Sequence, residues 1–427
     1  MFQKLHNKVL LKAIGLFIVL SGLTSCDDDA FAKLFNLNDN DNYAQLYDVV
    51  VQLSYPSGFD QPISGIEVTA SSSQGGTYTA TSDSSGCAIL PLEIGIYNFS
   101  ASSSDSAFAY NGLLESQQIT DTATLDMPLN VTALEGGLIF KEIYFTGSST
   151  AEGGTYFADQ FHEIYNNSDD TIYLDGLCIG VLEPTSSSEN IWADESVTDD
   201  YNRLPMNFYT WYVPGNGSDY PLAPRSSIVI AQDGINHQTD PSGNSNSPVN
   251  LGNADWETYC GDINGGSDAD AAGVPNLSLL YTNTTTLYDF LHPVWGAGVI
   301  IFRLPEGTDY STWASDASNF ASKPESSSSK MYLQVPVDYV IDAVEIVRMD
   351  ETKRYKRLPS ELDAGKIWCS NTYIGKSVRR KVSQIIDGKV IYQDTNNSSN
   401  DFVYNSEGNA SYDWNPTPFE QPTEVDE

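Results

Sequence analysis

The chain has 427 residues, of which 40% are hydrophobic and 11% aromatic, and its formal net charge is −36 at neutral pH. This hydrophobic and aromatic content excludes a disordered chain, and the length predicts two or three domains. A surface of such negative charge repels phosphate backbones, so we expect no nucleic-acid partner.

The first 25 residues have the layout of a secretory signal peptide. A basic head with Lys4, Lys8 and Lys12 is followed by an apolar stretch that reaches Leu20, and small residues lead to Cys26. The Leu-Thr-Ser-Cys ending resembles the lipobox of bacterial lipoproteins, which implies cleavage after residue 25 and acylation of Cys26. Acyl chains contribute about 0.8 kcal/mol per buried methylene, so they would anchor the protein to a membrane. The alternative is an ordinary cleaved signal with an incidental cysteine.

An acidic triplet, Asp27, Asp28 and Asp29, follows Cys26 directly. It resembles the tag that directs Bacteroidota lipoproteins to the outer face of the outer membrane; the alternative is a solvated acidic linker. We therefore expect residues 26–45 to be a lipidated acidic linker and the protein to face the cell exterior. Cleavage would remove three lysines and no acid, leaving 18 basic and 57 acidic residues.

Four cysteines remain after Cys26, namely Cys87, Cys178, Cys260 and Cys369. Their spacing does not match a CxxC metal pattern. An exported chain can form disulfides, and four cysteines allow three pairings between which the sequence does not choose. We favour buried core thiols, because unpaired cysteine is commonly buried.

Residues 46–132 predict a small antiparallel β-domain. Residues 49–53 form a β-branched run, residues 62–70 alternate with period two, and residues 77–81 and 90–100 read as further strands. The order of these strands and their glycine turns resembles the carboxypeptidase-regulatory, or transthyretin-like, β-sandwich. That resemblance implies a spacer or adaptor without catalytic residues.

Residues 133–420 predict a larger β-domain, followed by an acidic tail at 421–427. A strand at 136–145, a strand ending in Glu-Ile-Tyr-Asn-Asn-Ser-Asp and a Tyr-Leu-Asp-Gly turn resemble the lamin-tail domain, an immunoglobulin-like sandwich. Long insertions at 145–158, 183–220 and 232–290 are predicted to be elaborated loops. The whole resembles a family of Bacteroidota surface lipoproteins of unknown function. We thus predict an all-β fold of two sandwiches, with no helix longer than about four turns after the signal.

Catalytic motifs do not emerge from the sequence. His162, His237 and His292 lack zinc-ligand spacing, and no serine lies in G-x-S-x-G. Carboxylates are abundant, but a glycosidase pair is defined by its distance in space, which sequence does not give. We expect a protein that is not an enzyme, with a hydrolase using an unrecognised carboxylate pair as the alternative.

Calcium is the one inorganic ligand that the sequence offers. Asp262, Asn264, Asp268 and Asp270 place four oxygen-bearing side chains in nine residues, and calcium prefers six to eight oxygen ligands. The EF-hand order is broken after Asn264. A solvated acidic loop is therefore the favoured interpretation, with calcium as the alternative, and we expect no other cofactor.

Tryptophans in or beside the predicted loops are candidate ligand contacts. Exposed aromatic rings stack on sugars and anchor protein partners, whereas buried ones only pack their own loops. The candidates are Trp192, Trp211 and Trp256, with Trp295 and Trp313 in similar positions.

These features favour a cell-surface lipoprotein that binds or scaffolds without catalysis. We expect it to serve as an accessory of an outer-membrane complex, beside a barrel such as a TonB-dependent transporter. The alternative is direct capture of a glycan or peptide through an aromatic loop patch. A carboxylate hydrolase is the third interpretation.

Overall fold

The computed structural model describes residues 45–426 except 58, 60, 105–107, 134–136, 186, 194–200, 265–267, 269, 285–291 and 407–409. The predicted signal peptide, Cys26 and the acidic triplet lie outside the described residues. Residues Tyr47–Glu427 belong to one compact unit.

The N-terminal part of this unit is built from two packed sheets. One has the order β4-β1-β7 and the other β3-β2-β5-β6-β8. Its strands are β1 (Tyr47–Ser54), β2 (Glu67–Ser72), β3 (Thr77–Thr81), β4 (Cys87–Leu92), β5 (Gly95–Ser104), β6 (Phe108–Ile119), β7 (Ala123–Pro128) and β8 (Asn130–Ala133). We call this part the first sandwich.

Period-two alternation explains the core of the first sandwich. Val49, Val51 and Leu53 of β1 are buried, while the residues between them point outward. Val68 and Phe99 face them from the other sheet. The predicted strands at 49–53 and 77–81 correspond to β1 and β3. The junction between the two domains, predicted near residues 131–136, falls partly outside the described residues.

The two ends of the first sandwich have different roles. The chain enters it at Tyr47, which pairs with Leu92 at one end. At the other end, Glu67 pairs with Ser102, and the Ser102 hydroxyl accepts a 2.8 Å hydrogen bond from Asn400 of the C-terminal part. The eight residues of β1 span about 26 Å at 3.3 Å per residue. The first sandwich therefore separates its entry point from this hydrogen bond by about the length of β1.

The C-terminal part, which we call the second sandwich, is also nearly all β. Its strands are β9 (Leu138–Tyr144), β10 (Ser148–Ser149), β11 (Thr155–Tyr156), β12 (Phe161–Asn166), β13 (Ile172–Tyr173), β14 (Cys178–Leu182), β15 (Arg203–Tyr212), β16 (Pro221–Leu222), β17 (Ser227–Ala231), β18 (Trp256–Glu257), β19 (Ser278–Thr282), β20 (Gly298–Phe302), β21 (Phe320–Ser322), β22 (Met331–Pro336), β23 (Val340–Glu345), β24 (Val378–Arg379), β25 (Val382–Ile386) and β26 (Lys389–Tyr392).

Helices are short throughout the described residues. The α-helices are α1 (Gly261–Asn264), α2 (Tyr310–Ser315) and α3 (Ser398–Asp401), and 3₁₀ turns occupy Ile191–Ala193, Ala317–Asn319, Val337–Tyr339 and Glu351–Lys353. None of the helices described here is long and apolar enough to cross a bilayer. The predicted all-β fold class is confirmed.

Two large sheets enclose the main core of the second sandwich. One has the order β18-β17-β12-β9-β24; the other is β21-β22-β15-β14-β20-β23, with β19 also paired to β15. Phe140, Ile164, Ile179 and Val299 belong to the cluster of buried apolar side chains between them. Burying each such side chain contributes about 1.5–3 kcal/mol, so this layer holds the loops at the sandwich edges in place.

The prediction that residues 183–220 form a loop is wrong for their second half. These residues include β15, a ten-residue strand inside the large sheet. Its first residues pair with β22 and its last with β19, and its register with β14 shifts at Gly180. Pro205 interrupts the strand pattern, yet its carbonyl accepts the N–H of Glu183 at 2.8 Å. Because Pro205 lies within β15 and the strand changes partner along its length, its residues show no single period from which a strand could be predicted.

The insertion at 232–290 is not a free loop either. Val249, Leu251 and Val274 pack on the outer face of the five-stranded sheet, against Tyr144 and Phe161. The insertion therefore buries a sheet face that water would otherwise cover. Because this insertion is rich in glycine and asparagine, its role in packing against the sheet could not be predicted from the sequence.

A buried ionic network lies in the second sandwich, near its contacts with the first sandwich. The Arg380 side chain is 2% exposed and donates to Asp342 at 2.9 Å and to Asp394 at 3.0 Å. Asp401 lies 3.5 Å from the same guanidinium. Burial raises the pKa of Asp342 and of Asp401, and the charge of Arg380 opposes that rise.

Residues 414–426, which we call the C-terminal strap, cover charged groups on the outer face of β9. A β-bulge between β9 and β12 leaves both Lys141 and Glu142 buried there. Lys141 donates to Glu163 at 2.7 Å and to the carbonyl of Glu420 in the strap at 2.5 Å. Burial raises the pKa of Glu142 to about 7, although a hydrogen bond from Ser377 lowers it.

Candidate binding groove at the loop end

An open groove of about 950 Å³ lies at one end of the second sandwich. Three loops form it: residues 173–176 after β13, residues 212–217 after β15, and residues 303–311 between β20 and α2. We call it the loop-end groove. Loops carried on a rigid sandwich are where binding residues are concentrated, so this groove is the first candidate site.

Asp175 organises the floor of the groove. Its carboxylate is buried and accepts the backbone N–H groups of Gly217, Asp219 and Tyr220 at 3.0–3.1 Å. Burial by itself would raise the pKa of Asp175, but these N–H donors together hold the pKa below its usual value. One ionised side chain thus fixes the course of the loop between β15 and β16.

Two glycines let the loops approach closely. Gly176 has φ +72°, and a Cβ there would lie 2.3 Å from the hydroxyl of Tyr310. Gly215 has φ +147°, and a Cβ there would lie 2.1 Å from Oδ1 of Asp175. Only glycine fits both positions without displacing a groove residue.

Tyrosine rings and charged groups line the walls. Tyr212 and Tyr310 stack with their ring centroids 5.0 Å apart, and the Tyr310 hydroxyl donates to the carbonyl of Gly176 at 2.8 Å. Tyr173 is 43% exposed, and Arg303 donates to its carbonyl at 2.6 Å. Hydrogen bonds from Thr312 and Ser311 lower the pKa of Asp309 to about 2, so this rim residue stays ionised.

This arrangement can bind a polar molecule that carries flat apolar faces. An exposed tyrosine ring stacks on the C–H face of a sugar, and a carboxylate and a guanidinium at the rim accept and donate hydrogen bonds to hydroxyl groups. The loops are held by buried hydrogen bonds, so little ordering is needed on binding.

We expect Asp175→Asn to lower the free energy of unfolding by about 1–3 kcal/mol, because an amide leaves backbone N–H groups without their acceptor. Glu189→Gln, which changes an exposed acid, is the matched control and should stay within about 0.5 kcal/mol of wild type. The measurement is urea denaturation.

The same pair of variants has a defined pH dependence. The pKa of Asp175 is lower in the folded protein, so its contribution is complete above the unfolded value of about 3.9 and is lost as pH falls through the folded value. The difference in the free energy of unfolding between wild type and Asp175→Asn should therefore become smaller below about pH 4. A difference that is constant from pH 7 to pH 3 would contradict this assignment.

The predicted tryptophan contacts require a correction. Trp192, Trp211 and Trp256 are only 5%, 2% and 4% exposed, so they do not form a surface patch. Trp211 lies in β15 and stacks on Tyr209 at 5.5 Å, and Trp256 packs edge-on against Tyr220 at 4.9 Å. Their large rings fill the space between loops and sheets, which is the favoured place for such surface. Trp295, by contrast, is 45% exposed.

The predicted calcium residues are only partly described. The side chains of Asp262 and Asn264 lie outside the described residues. Asp268 accepts the N–H of Cys260 at 2.5 Å, and Asp270 accepts from Asn276 at 3.2 Å. Among the residues that the structure describes, no group of three or more His, Cys, Asp or Glu could hold a metal ion.

The histidines and thiols lie inside the protein. Nε2 of His162 and Nδ1 of His292 are 3.2 Å apart, and burial lowers the pKa of His162 to about 3. The two histidines are 130 positions apart in the chain, so their contact could not be predicted from spacing. Among the described residues, Cys87, Cys178, Cys260 and Cys369 are thiols and not disulfides; Cys87 is partly exposed and the others are buried.

Sequence reasoning also missed two sets of surface residues. Tyr173, Tyr212, Arg303 and Tyr310 come from distant segments, and only the pairing of strands brings them together. The second set includes Arg348 and Arg354. The sequence does carry a charge signal for it, because residues 348–389 contain 11 of the 21 lysines and arginines of the chain and only five acids.

The fold and the groove define an all-β protein of packed sandwiches with a groove formed by loops. A family model described as protein of unknown function (DUF4876) matches residues 223–408. A DUF4876 family protein from Bacteroides thetaiotaomicron VPI-5482 has a crystal structure that is 30% identical, covering 89% of this chain and 99% of that chain with a TM-score of 0.58. The chain belongs to the DUF4876 family.

Two other solved structures are similar only locally. A putative adhesin from Bacteroides ovatus matches at 12% identity over 38% of this chain and 59% of that chain, with a TM-score of 0.18. A DUF3823 family protein from Parabacteroides merdae matches at 10% identity over 42% of this chain and 95% of that chain, with a TM-score of 0.17. Neither match carries an argument about function. A comparison with curated proteins found no match.

Proposed function

We propose that the protein is a lipid-anchored, cell-surface binding accessory of an outer-membrane complex, and that its loop-end groove captures a neutral saccharide. The groove carries this proposal, because it combines an exposed tyrosine ring with rim groups that hydrogen-bond hydroxyls. Sandwich folds host many unrelated functions, so the fold alone does not indicate what the protein binds.

The first sandwich supports display at a surface. Its entry point lies at one end, whereas the hydrogen bond of Ser102 to the second sandwich lies at the opposite end, about the length of β1 away. If Cys26 is acylated, this arrangement holds the second sandwich away from the bilayer. The groove would then be presented to soluble polymers outside the cell.

Affinity electrophoresis of the detergent-purified full-length protein in gels containing starch, xylan, galactomannan or levan tests the proposal. We expect at least one of these neutral polymers to retard the protein. Tyr173→Ala should weaken that binding about tenfold or more, because loss of an anchoring ring costs about 1.4 kcal/mol or more.

Phe157→Ala is the matched control, since Phe157 is a ring of similar exposure (39%) that lies outside the groove. It should migrate like wild type in the same gels. Migration unaffected by all four polymers, or equal retardation of wild type and Tyr173→Ala, would refute saccharide capture by the groove.

A further inference from the structure

A band of arginine and aromatic side chains crosses a different surface of the second sandwich. It consists of Trp295, Arg348, Arg354, Trp368 and Tyr404, and we call it the basic–aromatic face. The guanidinium of Arg348 lies 4.9 Å from the ring centre of Trp295, and that of Arg354 lies 3.7 Å from the ring centre of Trp368. Trp368 continues the band through an edge contact with Tyr404.

Strand geometry fixes the first half of this face. Gly298 of β20 pairs with Glu345 of β23, so Trp295 and Arg348 emerge side by side where the two strands end. Gly296 has φ +89° and closes a turn by donating to the carbonyl of Pro293 at 2.8 Å. A Cβ at Gly296 would lie 2.8 Å from Ile346, so the turn that presents Trp295 requires glycine.

Hydrogen bonds fix the second half. Arg354 donates to the carbonyls of Arg348 at 3.2 Å and Met349 at 3.0 Å, which holds its guanidinium flat on Trp368. The indole N–H of Trp368 donates to the carbonyl of Ala410 at 3.1 Å. Side chains held in this way lose little conformational freedom on binding.

The charge of the face contrasts with that of the chain. Asp350 and Glu351 lie near Arg354, and Asp350 also lies near Arg348. Within the described residues, however, neither arginine forms an ion pair with a carboxylate, unlike the buried Arg357 and Arg380. Two guanidiniums therefore remain at the surface of a protein whose net charge is −36. A stacked guanidinium presents a planar fork that matches a carboxylate.

We propose that the basic–aromatic face binds a linear polysaccharide that carries carboxylates, such as a polymer of hexuronic acids. The two guanidiniums pair with carboxylates along the polymer, while Trp295 and Tyr404 at the two ends of the band stack on sugar rings. This site is separate from the loop-end groove, and it stands whether or not the groove binds a neutral saccharide.

The net negative charge of the protein sets the conditions for binding. It repels a polyanion at long range, but the screening length is about 8 Å at 0.15 M ionic strength. Contacts between the face and a bound polymer act over distances shorter than this, so they persist at 0.15 M ionic strength. The affinity is therefore measured at 0.15 M salt.

Isothermal titration of the detergent-purified full-length protein with polygalacturonate tests the proposal. Fully methyl-esterified polygalacturonate is the comparison ligand, because it keeps the sugar rings and lacks the charges. We expect polygalacturonate to bind at least tenfold more tightly than its ester. Arg348→Gln and Tyr404→Ala should each weaken polygalacturonate binding about tenfold.

Lys389→Gln removes an exposed cation from the same basic segment, and Tyr173→Ala removes a ring from the loop-end groove. Both should bind polygalacturonate like wild type, so failure of the groove proposal would not affect this result. Circular dichroism checks that the variants are folded, and Tyr404→Ala removes only a partly exposed ring. Absence of binding, equal affinity for the two polymers, or unchanged affinity of both face variants overturns the proposal.

Discussion

Arg380→Met is expected to lower the free energy of unfolding by about 3–5 kcal/mol, because it leaves buried carboxylates without their cation. Asp342, Asp394 and Asp401 all lie within 3.5 Å of the Arg380 guanidinium. Methionine keeps much of the side-chain volume, so the loss reports charge and hydrogen bonds more than packing. Arg203→Met, at an exposed arginine, should change the stability by less than about 0.5 kcal/mol.

The sign of the pH effect gives a second readout for Arg380→Met. Burial raises the pKa of Asp342 and Asp401 in the folded protein, and removing Arg380 removes the group that opposes this rise. The folded variant then binds more protons than the unfolded chain between about pH 4 and pH 7 or above, so its stability falls as pH rises. Urea denaturation should show a smaller deficit at pH 5 than at pH 8. A loss of stability in Arg380→Met that becomes larger at low pH would contradict the role of Arg380 in stabilising these ionised carboxylates.

Cys26→Ala is expected to release the protein from membranes, because the acyl chains would supply the insertion energy. Changing Asp27, Asp28 and Asp29 to alanine should leave the protein membrane-bound but remove it from the cell surface. The acidic triplet contributes nothing favourable at an anionic membrane surface, so its effect would come from recognition by the export machinery.

Fractionation and whole-cell protease access separate the two effects. Membrane association of Cys26→Ala equal to that of wild type would contradict the lipid anchor. Unchanged protease access in the triple-alanine variant would contradict the export tag and leave the anchor standing. Since these residues lie outside the described part of the chain, this experiment is their direct test.

Strands with regular alternation could be predicted from the sequence. The strand predicted at 77–81 has the bounds of β3, because Thr77–Thr81 alternate between the two faces of a sheet and end at turn residues. β15 could not be predicted in the same way. Its side chains are buried on both faces, Pro205 lies within it, and it changes partner along its length, so no single period describes it.

The candidate sites depended on contacts that sequence spacing does not encode. Tyr173 and Arg303 are 130 positions apart, yet β14 and β20 are neighbours in one sheet and bring their loops to the same end. Tryptophan content predicted a surface patch, but ring size favours burial unless a turn such as Pro293–Gly296 holds the ring outward. The concentration of cations at 348–389 is the sequence feature that corresponds to the proposed basic–aromatic face.

The C-terminal strap imposes an order on assembly in any chain that emerges N-terminus first, whether from the ribosome or across a membrane. A chain that crosses a membrane from its N-terminus delivers β9 almost 280 residues before Glu420, its partner at Lys141. The first sandwich has all its strands once residue 133 has emerged, whereas Lys141, Glu142 and Glu163 stay in water until the strap arrives. Closure through such distant contacts is slow compared with local folding, so the second sandwich is exposed to proteases and chaperones for longer than the first. The first sandwich is therefore complete before the second.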